Sequence, residues 1–473
     1  MEIIHISAEC YPIAKVGGLA DVVGALPKYQ NKVGKKTGVV MPYFNTKFTQ
    51  NNSFKIDHRN TVSLGDLLYD FEVLILENDD LGYPLYLIKI PGLMDRENVY
   101  GYSDDTERFL AFQKAALNWI VQFHDKPEII HCHDYHTGLI PFMMLYAHQY
   151  ASLKDIPTIL TIHNAQYQGQ FSFDKLYYFP EYDLSNSGML EWAQMINPLA
   201  AAVKCAWAVT TVSPSYLIEL RSAANGLEWL LDNEKGKSIG ILNGIDTEVW
   251  NPATDPMISK NFNKQNSLSG KKNNKMFLCD KFDLNPEKPL FAFIGRLVGE
   301  KGAELLPEIF DTILSNPELD ANVLVLGSGD PGVEYSLNSI KEKHKGNYNA
   351  FIGYDETLSH IIYAGADFLV MPSRVEPCGL NQMYSLRYGT IPIVRSIGGL
   401  KDTITDISEE DGFGICHENT AVDEACIAIE RACELYKDQP KFKKIRKQIM
   451  QIDHSWDKAA NNYIELYNKL INK

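Results

Sequence analysis

Short apolar runs alternate with amphipathic stretches along most of the chain. In the first half, EIIHIS is followed by a helical pattern from about Leu19. Then come TGVVMPYF, FEVLILEN and PLYLIKI, a helical pattern over Thr106–Phe123, and EIIHCHD, PTILTIHN, AVTTVS and SIGILNG. Continuous apolar runs bounded by turn residues and separated by helices mark strands buried on both faces, as in a parallel sheet with crossover helices. Residues 251–275, NPATDPMISKNFNKQNSLSGKKNNK, are poor in large apolar side chains and break the composition. Beyond them the alternation restarts with PLFAFIGR, ANVLVLG, NAFIGY, ADFLVMPS and TIPIVRS, and the chain closes on the helical segment SWDKAANNYIELYNKLINK. The pattern predicts an α/β protein of two doubly wound Rossmann-like domains facing across a cleft, residues 1–245 and 246–473, with the hinge near Gly244–Pro252. The last helix is a candidate to pack back on the N-terminal domain.

The length, 473 residues, is too great for one ordinary core and agrees with two domains. The formal charge of −15 comes with no compensating run of Lys and Arg, which excludes a nucleic-acid tract. An anionic ligand must therefore be held by a few cations focused in a cleft, whereas a large neutral partner such as a polysaccharide meets no electrostatic objection. The eight cysteines are scattered without a CxxC pair. With neither a leader-like MEIIHISAEC nor an apolar window of membrane-spanning length, the expectation is a cytoplasmic protein with reduced thiols and no membrane partner.

Ligands of open α/β sheets bind beyond the carboxyl ends of the strands, so the residues after each apolar run are the candidates. After the first run stand Lys15, Gly17 and Gly18, opening a helix whose amides and dipole favour an anion such as a diphosphate. A plain Gly-Gly turn with a solvated lysine reads equally well from this fragment alone, and Asp21 is also a good helix-start residue. HDYHTG and HNAQYQG follow two further runs. His131, Cys132, His133 and His136 invite a zinc reading, but alternate strand residues followed by a turn lack the convergence of an H-E-x-x-H helix, so no metal is expected. Polar groups hydrogen-bonding a sugar fit better, His163 and Asn164 among them. In FAFIGRLVGEKG, Arg296 and Lys301 flank a glycine-containing turn, an arrangement that suits a dianion. The densest stretch, MPSRVEPCGLNQMYSLRYGTIPIVRSIGGLKD, puts Arg374 and Glu376 at a strand end. Pro377 there suits the first helical position and leaves the amides of Cys378, Gly379 and Leu380 to face a ligand.

KVGGLADVVGALPK, HCHDYHTGL, TIHNAQYQG, LNGIDTEVWNPATDP, GRLVGEKG and PSRVEPCGLNQMYSLRYGTIPIVRSIGGLKDT stand in this order, and the chain thereby resembles the bacterial and plant-type glycogen and starch synthases. These are retaining glycosyltransferases of family 5 with the GT-B fold, and the resemblance runs from residue 1 to about residue 460. It implies an acceptor-side N-terminal domain, a nucleotide-sugar-binding C-terminal domain, and transfer of glucose from ADP-glucose to the non-reducing end of an α-1,4-glucan. By resemblance Lys15, with Gly17, Gly18 and Asp21, binds the nucleotide sugar, and Arg296 and Lys301 hold the diphosphate as it leaves. Glu376 binds glucosyl hydroxyls, helped by the turn Cys378, Gly379 and Leu380 and by Gly398 and Gly399. His163 lies near the anomeric carbon, with Asn164, and Asp134 and Asn243 line the cleft.

Retention in this family is attributed to departure and attack on one face, with the leaving phosphate guiding the acceptor proton. The resemblance therefore implies no enzyme nucleophile, no metal and no cofactor. Val16 replaces a common Thr, Tyr135 a Trp, Glu300 a Gln and Met94 an aromatic residue. The changes at Tyr135 and Met94 fall where base or glucan is expected and leave ADP-glucose against UDP-glucose open. Another glycosyl donor, a phosphorylase, and a glucan-binding homologue without activity are the competing readings. Oligomeric state, regulation and surface glucan sites leave no trace in the sequence.

Overall fold

The computed structural model describes residues 1–77 and 80–472; Asn78, which ends the run FEVLILEN, and Lys473 of the closing segment lie outside the described residues. The chain divides into two compact units, Met1–Gly244 with Trp456–Lys473, and Ile245–Ser455.

In the first unit β1 (Ile3–Ile6), β2 (Thr37–Pro42), β3 (Phe54–Leu64), β4 (Leu67–Leu76), β5 (Leu85–Lys89), β6 (Ile129–His133) and β7 (Thr158–Ile162) join one sheet. A small ribbon of β8 (Glu191–Trp192) and β9 (Met195–Ile196) precedes β10 (Ala208–Thr211) and β11 (Ser238–Gly240), which complete that sheet in the order β11-β10-β7-β6-β1-β2-β5-β4-β3. The strands from β11 to β5 in this order run parallel, as their unbroken apolar sequences require. The edge departs from the expected pattern, because β3 and β4 form an antiparallel hairpin and β4 lies antiparallel to β5. β3, FKIDHRNTVSL, is largely solvated and so lacks an apolar run. Its signal is the two-residue Gly65-Asp66 loop between Leu64 and Leu67, where Gly65 takes a positive φ of 57°.

Two apolar layers enclose this sheet. The larger includes Phe109, Phe112, Leu117 and Phe142. The smaller is made by the helices Gly18–Lys32 and Trp456–Ile471, which pair through Val22, Leu26 and Tyr29 against Trp456, Ala460, Tyr463 and Tyr467. The closing segment is thus a structural layer of the first unit.

The second unit is a parallel sheet of β12 (Leu290–Ile294), β13 (Asn322–Gly327), β14 (Tyr348–Ile352), β15 (Phe368–Met371), β16 (Ile391–Arg395) and β17 (Ile415–His417), ordered β14-β13-β12-β15-β16-β17. The Asn- and Lys-rich stretch that breaks the composition is only partly irregular, since Ser267–Phe282 is a helix with two buried lysines. Lys271 donates to the carbonyls of Tyr363 and Tyr388 and to Thr390 Oγ1, and Lys275 pairs with Asp367 at 2.6 Å. These acceptors answer the lysines' donors, so polar composition here does not mean exposure.

Among the parallel strands of each sheet the order reverses at one point, between β1 and β6 and between β12 and β15. Loops leave the sheet in opposite directions at such a point and open a crevice at the strand ends. Gly302 shows how tightly the second crevice is built. It has a φ of +64°, and a Cβ there would overlap the carbonyl oxygen of Pro372, whereas a Cβ on Gly299 would meet nothing within 4 Å. Urea unfolding should therefore show Gly302→Ala to cost about 2–4 kcal/mol and Gly299→Ala less than about 1 kcal/mol.

Candidate active site

The crevice of the second unit gathers the loop after β12 and the loop after β15. The carbonyl of Glu300 accepts hydrogen bonds from the amides of Arg374 (2.8 Å) and Val375 (3.1 Å), and Asn381 Nδ2 donates to the carbonyl of Ile294 at 2.7 Å. These bonds bring Lys301 onto Glu376: Nζ lies 2.6 and 2.7 Å from the two carboxylate oxygens, and Ser373 Oγ donates to one of them at 2.9 Å. Arg296 lies 3.3 Å from Glu300 with its side chain 44% exposed, so its guanidinium stays open to solvent. Arg374 turns away to Glu304.

The turn after Glu376 differs from expectation. The helix begins at Asn381, not at Pro377, because Gly379 adopts a φ of +73° and the side-chain amide of Gln382 donates back to the carbonyls of Cys378 (3.0 Å) and Gly379 (2.9 Å). Among the described residues the amides of Gly379 and Leu380 have no acceptor. Gly399 donates to the carbonyl of Glu376 at 3.0 Å, and a Cβ on it would overlap Cys378. Gly398, at a φ of +49°, turns the chain into the next helix. Two cations, the acids Glu376 and Glu300 that pair with them, and two open amides thus lie on the loops of one crevice, a set suited to a dianion joined to a polyol.

In the first unit the helix Gly18–Lys32 starts as expected behind Lys15, Gly17 and Gly18, but the amides of Val16 and Gly17 are not open. Glu9 takes both, at 2.6 and 2.9 Å, and its other oxygen accepts the hydroxyl of Tyr100. The loop is therefore shaped by a buried carboxylate that the sequence reading passed over; its signal is a lone acid in an apolar opening just ahead of the glycines. Lys15 pairs with Asp21 at 2.7 Å and lies 5.5 Å from the ring centre of Tyr11.

At the ends of β6 and β7, Asp134 holds a φ of +55°, and its carboxylate accepts the amide of His163 at 2.7 Å and that of Asn164. Burial pushes its pKa up to about 7. The side chain of Asn164 accepts the amide of Gln166 at 3.0 Å. Asn243 is buried, with Oδ1 lacking a partner among the described residues. The ring of Tyr135 lies tilted by 33° against that of His136 with centres 3.7 Å apart and closes over Gly169, while Met94 is fully buried. The structure corrects one premise of the zinc argument. His131 and His133 do converge, because they share a face of β6 with His5 of the neighbouring β1, and ligand atoms of the three lie within 4.8 Å of one another. All six of their ring nitrogens are nevertheless engaged in hydrogen bonds to protein. His136 stands apart against Tyr100 and Phe109.

Two outcomes are expected. Burial lowers the imidazole of His5 to about 4, those of His136 and His163 to about 3, and those of His131 and His133 well below 6.5. The unfolded chain takes up protons near pH 6.5 that the fold refuses, so this stability is complete above that pH and lost on acidification towards about pH 4. Urea titrations should show unfolding free energy falling steeply from about pH 7 to about pH 5; a flat profile contradicts the neutral cluster. For Glu9→Ala, hydrogen exchange at Val16 and Gly17 should quicken at least about tenfold, with Glu9→Gln, which keeps an acceptor oxygen, in between.

The family model for the starch synthase catalytic domain matches residues 2–233, and that for glycosyl transferases group 1 matches residues 276–449. A glycogen synthase of Flavobacterium johnsoniae is 56% identical over 471 residues, 100% of this chain and 99% of its own length. One of Streptococcus sanguinis is 36% identical with 100% of both chains covered. The catalytic domain of starch synthase IV from Arabidopsis thaliana, solved bound to ADP and acarbose, superposes with a TM-score of 0.92 at 34% identity, covering 100% of this chain and 99% of that one. A sucrose-phosphate synthase of Thermosynechococcus elongatus, at 17% identity and a TM-score of 0.64 over 99% of both chains, shares the fold. With two Rossmann-like units carrying the motifs of its sequence in order, the chain belongs to the glycogen and starch synthase family, glycosyltransferases of the GT-B fold.

Proposed function

We propose that this glycosyltransferase moves glucose from ADP-glucose to the non-reducing end of an α-1,4-glucan, with retention at the anomeric carbon. The observation that carries the reading is the grouping of Arg296, Lys301 and Glu376 at the reversal point of the second sheet. The ADP bound in the starch synthase IV catalytic domain supports the choice of nucleotide. In this reading the diphosphate meets Arg296, Lys301 and the amides of the 378–380 turn, while Glu376 receives glucosyl hydroxyls, with Gly398 and Gly399 keeping that turn in place. Charge grows on the diphosphate as the glycosidic bond breaks, so both cations bind the transition state more tightly than the donor. Before donor binds, Glu376 holds Lys301 in place. Lys15, with Gly17, Gly18 and Asp21, adds a donor-binding cation from the first unit. His163, Asn164, Asp134 and Asn243 supply polar contacts to the sugar. A cytoplasmic location belongs to the same reading, and no helix among the described residues is long and apolar enough to cross a membrane.

UDP-glucose is the second donor to weigh, because Tyr135 and Met94 differ from the common family residues where base or glucan is expected. A glucan-binding protein without activity has no use for leaving-group cations. Purified protein supplied with glycogen should release ADP from ADP-glucose faster than UDP from UDP-glucose and lengthen the glucan. Turnover with neither donor overturns the proposal, and a preference for UDP-glucose overturns its nucleotide. Lys301→Ala should lower kcat at least about tenfold. It also strands the buried Glu376 carboxylate, so the double variant Lys301→Ala, Glu376→Gln should regain thermal stability without regaining activity. Recovery of activity in the double variant would give the pair a purely structural role.

A further inference from the structure

Eight side chains of the first unit form a single hydrogen-bonded file that starts at His163 and runs through the sheet. His163 Nε2 meets His133 Nδ1 at 2.9 Å, His133 Nε2 meets His5 Nδ1 at 2.9 Å, and His5 Nε2 meets Gln30 Oε1 at 2.9 Å. Gln30 Nε2 donates to the hydroxyl of Tyr467 at 3.1 Å, which lies 2.7 Å from His131 Nδ1. His131 Nε2 meets Thr161 Oγ1 at 2.6 Å, Thr161 Oγ1 meets Thr210 Oγ1 at 2.6 Å, and Thr210 Oγ1 donates to the carbonyl of Leu160 at 3.4 Å. Every member beyond His163 is fully buried.

A neutral imidazole has one N–H and one bare nitrogen, and each link of the file needs one hydrogen. The donor sense of one link therefore dictates the next. The far end is a backbone carbonyl, which only accepts, so Thr210 donates to it and must accept from Thr161. Thr161 then accepts from His131 Nε2–H, His131 Nδ1 accepts from Tyr467, and the Tyr467 oxygen accepts from the Gln30 amide. Gln30 Oε1 accepts from His5 Nε2–H, His5 Nδ1 from His133 Nε2–H, and His133 Nδ1 from His163 Nε2–H. His163 is left with its Nδ1 bare.

We infer that this file is a positioning device which holds His163 as the Nε2–H tautomer, so that its Nδ1 offers a lone pair to a hydroxyl of the donor sugar. The sugar contact rests on the function proposed above; the tautomer does not. His5, Gln30, His133, His131 and Tyr467 act through His163 and touch no substrate themselves. Burial keeps the imidazoles neutral, as the file requires.

The test uses the full chain labelled with ¹⁵N-histidine, with two-bond proton–nitrogen correlations read near neutral pH and His163 assigned by its loss in His163→Asn. The expected spectrum shows a protonated Nε2 and a bare Nδ1 at His163; a protonated Nδ1, or an even mixture, overturns the inference. Tyr467→Phe keeps the ring but frees the Gln30 amide to turn either way. It should mix the His163 tautomers and lower kcat/KM for the donor about fivefold. An unchanged His163 pattern in that variant disproves the linkage. Should Tyr467→Phe fail to fold, Thr210→Val, which cuts the file at its carbonyl end, is read in the same way. The predicted tautomer in a protein that turns over neither nucleotide sugar would reject the proposed function and leave the positioning role standing.

Discussion

In each unit two strands far apart in sequence are hydrogen-bonded neighbours: Ile3–Ile6 lies beside Ile129–His133, and Leu290–Ile294 beside Phe368–Met371. Parallel pairing makes these strands and their parallel neighbours end on the same edge of the sheet, and the reversal of order at these two pairs sends the flanking loops apart. Whatever side chains follow those strands are then delivered to one crevice without a dedicated scaffold. Lys301 and Glu376, 75 residues apart, are brought to one place by this order before the loop hydrogen bonds join them. So are Glu9 and Asp134 with the loops they hold. The chemistry of the chain is thus a consequence of strand order before it is a consequence of any particular residue.

Each charged group placed there is answered from within its own unit. Lys301 has Glu376, Lys15 has Asp21, Arg296 has Glu300, and the amides of Val16 and Gly17 have Glu9. In a chain of net charge −15, a few cations gathered in a crevice have to be kept from spreading over solvated surface. Pairing them with carboxylates holds them extended, and a ligand bearing two negative charges then has only to compete with one acid for each cation. The cost is that removing one partner leaves the other uncompensated, so single substitutions at these positions disturb more than the contact they delete.

Much of this was readable from the chain. Buried parallel strands announce themselves as unbroken apolar runs, and the residues just after the runs included Arg296, Lys301, Glu376 and His163. What escaped did so for identifiable reasons. β3 alternates and is solvated, so it has no run to find. Glu9, His5 and Gln30 sit inside apolar or amphipathic stretches where a polar residue reads as incidental, and only the three-dimensional partner reveals its purpose. The helix expected at Pro377 starts at Asn381 because Gly379 turns left-handed, a choice that the favourable Pro position does not reveal. Tyr467 lies 304 positions beyond His163 and is joined to it through three intervening side chains, His133, His5 and Gln30, a relation no local pattern can contain.

The return of Trp456–Ile471 to the first unit has a consequence for biosynthesis. The second unit is one continuous stretch, Ile245–Ser455, and can complete its sheet while the ribosome is still at work. The first unit cannot: until Trp456, Tyr463 and Tyr467 emerge, Val22, Leu26 and Tyr29 remain uncovered and His131 lacks its tyrosine. A chain cut short of this helix therefore carries an open apolar seam, and the core of the first unit closes only once the helix has been made.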